Sequence, residues 1–374
     1  MSIEPLRRLL PLAVVALLSA CSSTPGPADL VDFKPSVQLH KLWSVSVGDA
    51  DGNVFQPVVV GESVYAASGD GDVVRIDGGK KTWSVDVRAE LSAGVGSDGA
   101  LVAVVSAKGE VIALEAKSGK ELWRANIRAE VLAPPAVGGG VVVLRTSDHR
   151  LIALEAKNGQ QRWLYQRNMP PLALRSHAGM LIVEQVALVG FPGGKVVAVS
   201  LEHGGNIWEL SIARPRGATE LERVADVAGT PVVGRSEVCA VTYQGRAACF
   251  DASNGNQLWG RDFSSHVGMD RDTRFAVLVD ERDSVQALDV YSGVTVWRQD
   301  ALPRRGLSRP LIAGDYVVVG DVEGYVHVLG RETGNFAARA RADRSAIVAD
   351  PRPLGNGFVV QTLDGDVVAY EVRH

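Results

Sequence analysis

Cysteine is scarce in this chain: three residues in 374. That number builds neither a disulfide scaffold nor a zinc cluster. The seven histidines show no H-x-x-x-H or H-E-x-x-H spacing, and no C-x-x-C occurs, so the metal signatures carried by those spacings are missing. A charge excess is missing too. Lys plus Arg is 39 against 43 for Asp plus Glu, a formal net charge of −4, which gives no basic footprint for nucleic acid. Aromatics make up only 6%. There is no G-x-S-x-G, no phosphate-binding Gly-rich loop and no nucleophile–base arrangement readable from spacing. No metal, no cofactor and no nucleic acid is therefore expected. What is present is 46% hydrophobic and 22% charged residues, with 40 Gly, a composition that excludes disorder.

The N-terminus reads as an export signal. Arg7 and Arg8 precede an apolar run at 9–18 that is too short to span a bilayer. Leu18-Ser19-Ala20-Cys21 resembles a bacterial lipobox, in which the peptide is cut before the cysteine and Cys21 becomes lipidated. Ser22, rather than Asp, then implies passage to the outer membrane. Residues 1–20 are expected to be the signal peptide. Residues 21–38, rich in Ser, Pro and Gly, are expected to form a lipidated flexible tether, and 39–374 the folded domain.

Tryptophan supplies the organising signal. Trp43, Trp83, Trp123, Trp163, Trp208, Trp259 and Trp297 are separated by 40, 40, 40, 45, 51 and 38 residues. Most sit four residues after a glycine, as in SGKELW (118–123), NGQQRW (158–163), NGNQLW (254–259) and SGVTVW (292–297). TGNFAA (333–338) places Ala338 where a tryptophan is due, with Phe336 nearby to fill part of the space. Upstream stretches such as VIALEAKSGKELW and LIALEAKNGQQRW are near copies. Eight tight turns precede them, six with a glycine expected at positive φ, and each follows a β-branched run of period two.

Each unit thus reads as four short antiparallel strands, A to D, with the tryptophan on D. A period of roughly 40–45 residues of this kind marks a propeller blade. Eight A–B–C portions can be counted. The last reaches the C-terminus without a strand D, whereas KLWSVSV (41–47) is a strand D with nothing before it. Joining the two satisfies both open edges. The expected fold is all-β, an eight-bladed β-propeller closed by its N-terminal strand.

A residue that recurs once per repeat is structural, so the tryptophans are expected to cap blades and pack against the next blade rather than bind ligand. The Asp-rich turns (Asp70, Asp72, Asp364, Asp366) read as hairpin chemistry. Cys239 and Cys249 flank one B–C turn; a cross-strand disulfide forms if they share a face and is forbidden by a one-residue slip. The Gly-x-x-x-Trp repeat resembles the tryptophan-docking repeat of quinoprotein alcohol dehydrogenases, which implies as an alternative a PQQ-dependent, dehydrogenase-like redox propeller. Those enzymes are larger, and many carry an adjacent cysteine pair that is missing here.

Function on a repeat scaffold sits where the repeat breaks. Two D-to-A connections are long, RNMPPLALR (167–175) and ARPRGATELERVADVAGT (213–230). They belong to consecutive blades and emerge on one face, so they should stand side by side. TELERV (219–224) fits a short helical turn. With the lipobox, SGVTVW and VVVGDVEGYVHVL (317–329), these loops resemble the BamB family, lipoprotein subunits of the outer-membrane β-barrel assembly machinery. The resemblance covers essentially the whole mature chain. It implies a non-enzymatic scaffold that binds BamA POTRA domains alongside other subunits of the machinery. Unfolded outer-membrane proteins are a further possible partner, captured at blade edges. It implies contact roles for Leu172, Leu174, Arg175 and Asp226. The family's second acidic position falls on Ala228, which puts one polar contact in doubt.

Overall fold

In a computed structural model, residues 26–175 and 177–373 are described, and they form thirty-two strands. These make eight four-stranded antiparallel sheets. The sheets are the blades of one propeller, with blades 1 to 7 at 58–86, 91–126, 136–165, 180–211, 227–263, 269–299 and 311–341. Blade 8 takes strands A to C from Arg352–Leu354, Gly357–Gln361 and Asp366–Arg373, and strand D from Gln38–Ser46 at the other end of the chain. Gln38 pairs with Arg373 and Ser46 with Asp366. The ring closes as the sequence requires, because each half-blade alone would expose a ladder of free backbone groups.

Burial follows the period of the strands. Strands B and C are almost wholly buried, as in Leu101–Ser106, and strand D alternates. The cores lie between neighbouring blades: Leu101, Ala103, Val105, Val111 and Ala113 of blade 2 pack with Leu144 and Ile152 of blade 3, whereas Val102, Val104, Ile112 and Leu114 pack with Tyr65 and Val73 of blade 1. Every C–D pair breaks register immediately before the tryptophan position: Ala113 faces Trp123 and Leu114 faces Glu121, so Leu122 bulges out. The same shift recurs in all eight blades. A bulge re-aims the next side chain and interrupts an open edge. Here it turns the indole toward the neighbouring blade.

Each tryptophan docks on the following blade. Trp83, Trp123, Trp163, Trp259 and Trp297 donate Nε1–H to the carbonyls of Ala116, Ala156, Leu201, Val290 and Arg331, at 2.6–3.0 Å. The motif glycine of that next blade lies against the ring. Gly159 adopts φ +72°, and a Cβ there would lie 2.6 Å from Trp123; the site needs glycine for both reasons. Trp43 lies on Gly79 in the same way across the closure. Trp208 is looser: it is half-buried, and the neighbour of Gly255 is Leu210 rather than an indole.

Two expectations need correction. The tether assigned to 21–38 is not free over its described part, because residues 26–37 lie along the outer edge of blade 7. Ser36 N–H donates to Ala337 O at 2.9 Å, Arg339 donates to Val31 O at 3.0 Å, and Phe33 stacks on Phe336. Cys21 and residues 1–20, expected to be a signal peptide, lie outside the described residues. The second correction concerns the turn YQGR, where positive φ falls on Gln244 (48°), not on the glycine. Asp283 and His149 carry it in two further turns, so three of the eight hairpins manage without glycine at that position.

Beneath the docked segment lies a buried ionic cluster. Arg305, 1% exposed, donates to Asp321 at 2.7 Å, to the Glu323 carboxylate and to Ala28 O at 2.6 Å. His327 lies between Asp321 (2.8 Å) and the Nε–H of Arg339 (3.1 Å). Arg339 therefore donates to Nδ1, and the ring proton sits on Nε2 facing the carboxylate.

Candidate functional site

The two long connections do stand together. Asp226 accepts the backbone N–H of Leu174 at 2.6 Å on Oδ2 and that of Gly193 at 3.1 Å on Oδ1. One carboxylate thus ties the 167–175 loop to the connection entering blade 5 and to the B–C turn of blade 4. Charged acceptors on backbone donors are strong hydrogen bonds. Burial raises the Asp226 pKa, while the Leu174 and Gly193 amides and the Arg145 charge pull against that rise.

Asp226 is only 4% exposed and lies beneath the loop, which its carboxylate holds through the Leu174 amide. Ala228 is buried as well, on the first strand of blade 5 opposite Val241. It lines the cavity behind the loops together with Leu174, Arg175 and Asp226. Leu172 is 39% exposed, Leu174 is half-buried, and the Arg175 side chain is 69% exposed with an ion pair to Glu130 at 2.8 Å. In the second loop, Glu222 caps the amides of Ala218 and Thr219, and 219–224 forms hydrogen-bonded turns, short of a helix. Leu221 at its tip is 71% exposed.

Behind the loops is a cavity of about 330 Å³ at the mouth of the central channel, lined by Leu174, Arg175, Asp226, Arg145, His177 and the starts of inner strands from several other blades. Arg145 was not singled out from the sequence. It is 4% exposed and forms no ion pair with a carboxylate among the described residues. It donates to Ala178 O at 3.4 Å and contacts His149. Burial lowers its pKa to about 10, with Asp226 opposing the shift. A signal existed: the positions that align with it at the ends of the other B strands are Ala67, Val105, Gly190, Val241, Val279, Gly320 and Gln361, so Arg145 is the charged exception.

Cys239 and Cys249 occupy directly opposed positions on strands B and C of blade 5 and are joined as a disulfide; both are fully buried. It lies in the inter-blade core with Trp259 and Met269, away from the loops.

Fold and site together define a tryptophan-docked, eight-bladed β-propeller with a braced pair of loops on the face that carries the D-to-A connections. The chain belongs to the family described as outer membrane protein assembly factor BamB, whose model matches residues 69–299 and 281–374. A relative of that name from Burkholderia pseudomallei is 43% identical over 368 residues, covering 96% of both chains. The crystal structure of BamB from Moraxella catarrhalis superposes with a TM-score of 0.83 at 26% identity, covering 89% of this chain and 100% of that one. The quinohemoprotein alcohol dehydrogenase from Comamonas testosteroni shares the fold alone, with a TM-score of 0.70 at 14% identity, covering 89% of this chain and 76% of that one.

Proposed function

We propose that this chain is a non-enzymatic scaffold lipoprotein of the outer-membrane protein assembly machinery, held at the periplasmic face by acylated Cys21 and binding the POTRA domains of BamA. The observation that carries the reading is the Asp226 brace. It pins the loop's backbone at Leu174, beside Leu172 and Arg175, which lowers the ordering entropy lost on binding. An apolar pair beside an arginine is the composition of an interface hot spot. The relatives' name, assembly factor, supports the same role.

Contact is placed on the loops rather than on the blade edges. The bulge in each outer strand interrupts the row of free backbone groups that strand addition by an unfolded client would need. Affinity purification from membranes tests the assignment. Leu174→Asp and Arg175→Glu should each abolish co-purification of BamA while leaving the circular dichroism spectrum unchanged. Undiminished recovery of BamA would reject this surface.

A further inference from the structure

We propose that residues 26–37 form a strap whose closure is governed by the protonation of His327: the neutral imidazole holds it on blade 7, and acid releases it. His327 is fully buried, and both of its ring nitrogens are committed. Nε2–H donates to Asp321 at 2.8 Å, and Nδ1 accepts from Arg339 Nε–H at 3.1 Å. Arg339 is the link to the strap. Its Nη1 donates to Val31 O at 3.0 Å, and its guanidinium lies over Phe33 and Phe336. One arginine thus contacts the imidazole with one nitrogen and holds the strap with another.

A proton on Nδ1 breaks that chain of contacts. An imidazolium has two donors and no acceptor, so Arg339 Nε–H meets an N–H, and two cations touch where water is excluded. The surrounding charges do not absorb the addition. Arg305 enters from the 301–307 connection, Asp321 and Glu323 from the B–C turn, Tyr325 from strand C, Arg339 and Arg341 from strand D, and Asp32 from the strap. Three arginines already match three carboxylates. The Asp321 side is fixed: Oδ1 accepts the amides of Glu323 and Tyr325, both at 2.9 Å, and Oδ2 accepts from Arg305 at 2.7 Å. Arg339 has, among the described residues, hydrogen bonds to His327 and Val31 alone. The repulsion therefore moves Arg339, and with it Val31 and Phe33. In the open form the ring recovers its ordinary proton affinity, near pH 6.5. Burial, opposed by Asp321 and reinforced by Arg339 and Arg305, holds it below that value in the closed form, so acid favours opening. Release moves the first docked residue from Gly26 to Gln38, which adds at most ~40 Å of free chain. With Cys21 as the anchor, acid would thus lengthen the tether; that consequence rests on the reading of Cys21 proposed above, whereas the switch does not.

Amide hydrogen exchange of the full-length protein at about pH 7 and about pH 5 tests the switch, with rates expressed as protection factors so that the chemical pH dependence cancels. Ala28 and Ser36 N–H, bonded to Pro303 O and Ala337 O at 3.2 and 2.9 Å, should lose about tenfold or more of their protection at the lower pH. Val318 and Val328, on strands B and C of blade 7, should keep theirs. His327→Gln offers Oε1 to Arg339 and Nε2–H to Asp321 and should hold the strap equally at both pH values. Phe33→Ala leaves the ionic cluster intact; it should lower strap protection at both pH values and preserve the ratio between them. Equal protection of Ser36 at the two pH values in the unaltered protein, the same loss in His327→Gln, or a parallel loss at Val318 and Val328 would overturn the inference.

Discussion

Phe33 stacks on Phe336 with ring centroids 5.1 Å apart, although the two residues are 303 positions apart in sequence. The stack stands where the tryptophan repeat fails. A tryptophan at 338 would dock on the C–D turn of blade 8. Blade 8 has no such turn, because its strand C ends the described chain at Arg373 and its strand D begins again at Gln38. Ala338 instead packs with Val37 and Leu39, and Arg339 lies over both phenyl rings at 5.0 and 5.1 Å. The missing tryptophan and the docked N-terminal segment are two sides of the same closure.

Loss of an indole should cost more where it is docked than where it is not. Trp259→Ala removes a buried ring and leaves the Val290 carbonyl without its indole donor. It is expected to destabilise the fold by about 3–5 kcal/mol. Trp208→Ala, at the looser seam, should cost roughly half as much. Urea denaturation of the two variants checks the order.

The brace at Asp226 should separate binding from folding. Asp226→Ala strands the Leu174 and Gly193 amides and is expected to cost about 1–3 kcal/mol. With the loop no longer pinned, affinity for the partner should fall about tenfold or more. Asp226→Asn keeps one acceptor oxygen and should lie between. Isothermal titration against the purified POTRA domains, with melting curves in parallel, reads both effects.

Acid should weaken the fold through buried imidazoles. Burial holds His327 below the ordinary imidazole pKa; the Asp321 bond opposes that shift, while Arg339 and Arg305 add to it. His149 is pushed down to about 4 by burial and by Arg145. The unfolded chain therefore binds protons at these sites before the folded chain does. Their stability is present above about pH 6.5 and is lost as pH falls below it, toward about 4 for His149. One fully buried histidine contributes at most ~1.4 kcal/mol per pH unit within its window, and the half-exposed His149 contributes less. His327→Gln should flatten the pH dependence of the denaturation midpoint below about pH 6.5. An unchanged slope would rule out a contribution from His327.

Reduction should loosen blade 5 without touching the binding loops. Replacing both Cys239 and Cys249 by alanine is expected to cost about 2 kcal/mol, since the bridge closes a short loop. Affinity for the partner should not change. A binding titration of the double variant below its melting temperature tests that separation.

The number of blades, their strand order and the closure of the ring are legible in the chain because each blade repeats the same local chemistry. Alternation of period two, a turn, a glycine and a tryptophan recur every 38 to 51 residues, and an unmatched strand at each end can pair only with the other. The long loops are legible as breaks in that rhythm. Asp226 is not. Loop composition reads an acid as a surface group, and only packing shows that it faces inward onto two amides. Residues 26–37 mislead for a related reason: Ser, Pro and Gly lower local propensity, but Phe33 and the backbone find partners some three hundred residues away.

Periodicity and edge pairing are local rules applied repeatedly, and they suffice to specify a closed propeller of eight blades. Which polar side chains lie exposed on the loops, which hold the loops in place, and where residues 26–37 are clasped emerge only from the packed fold. Those outcomes depend on burial and on contacts between distant residues, neither of which is written in spacing.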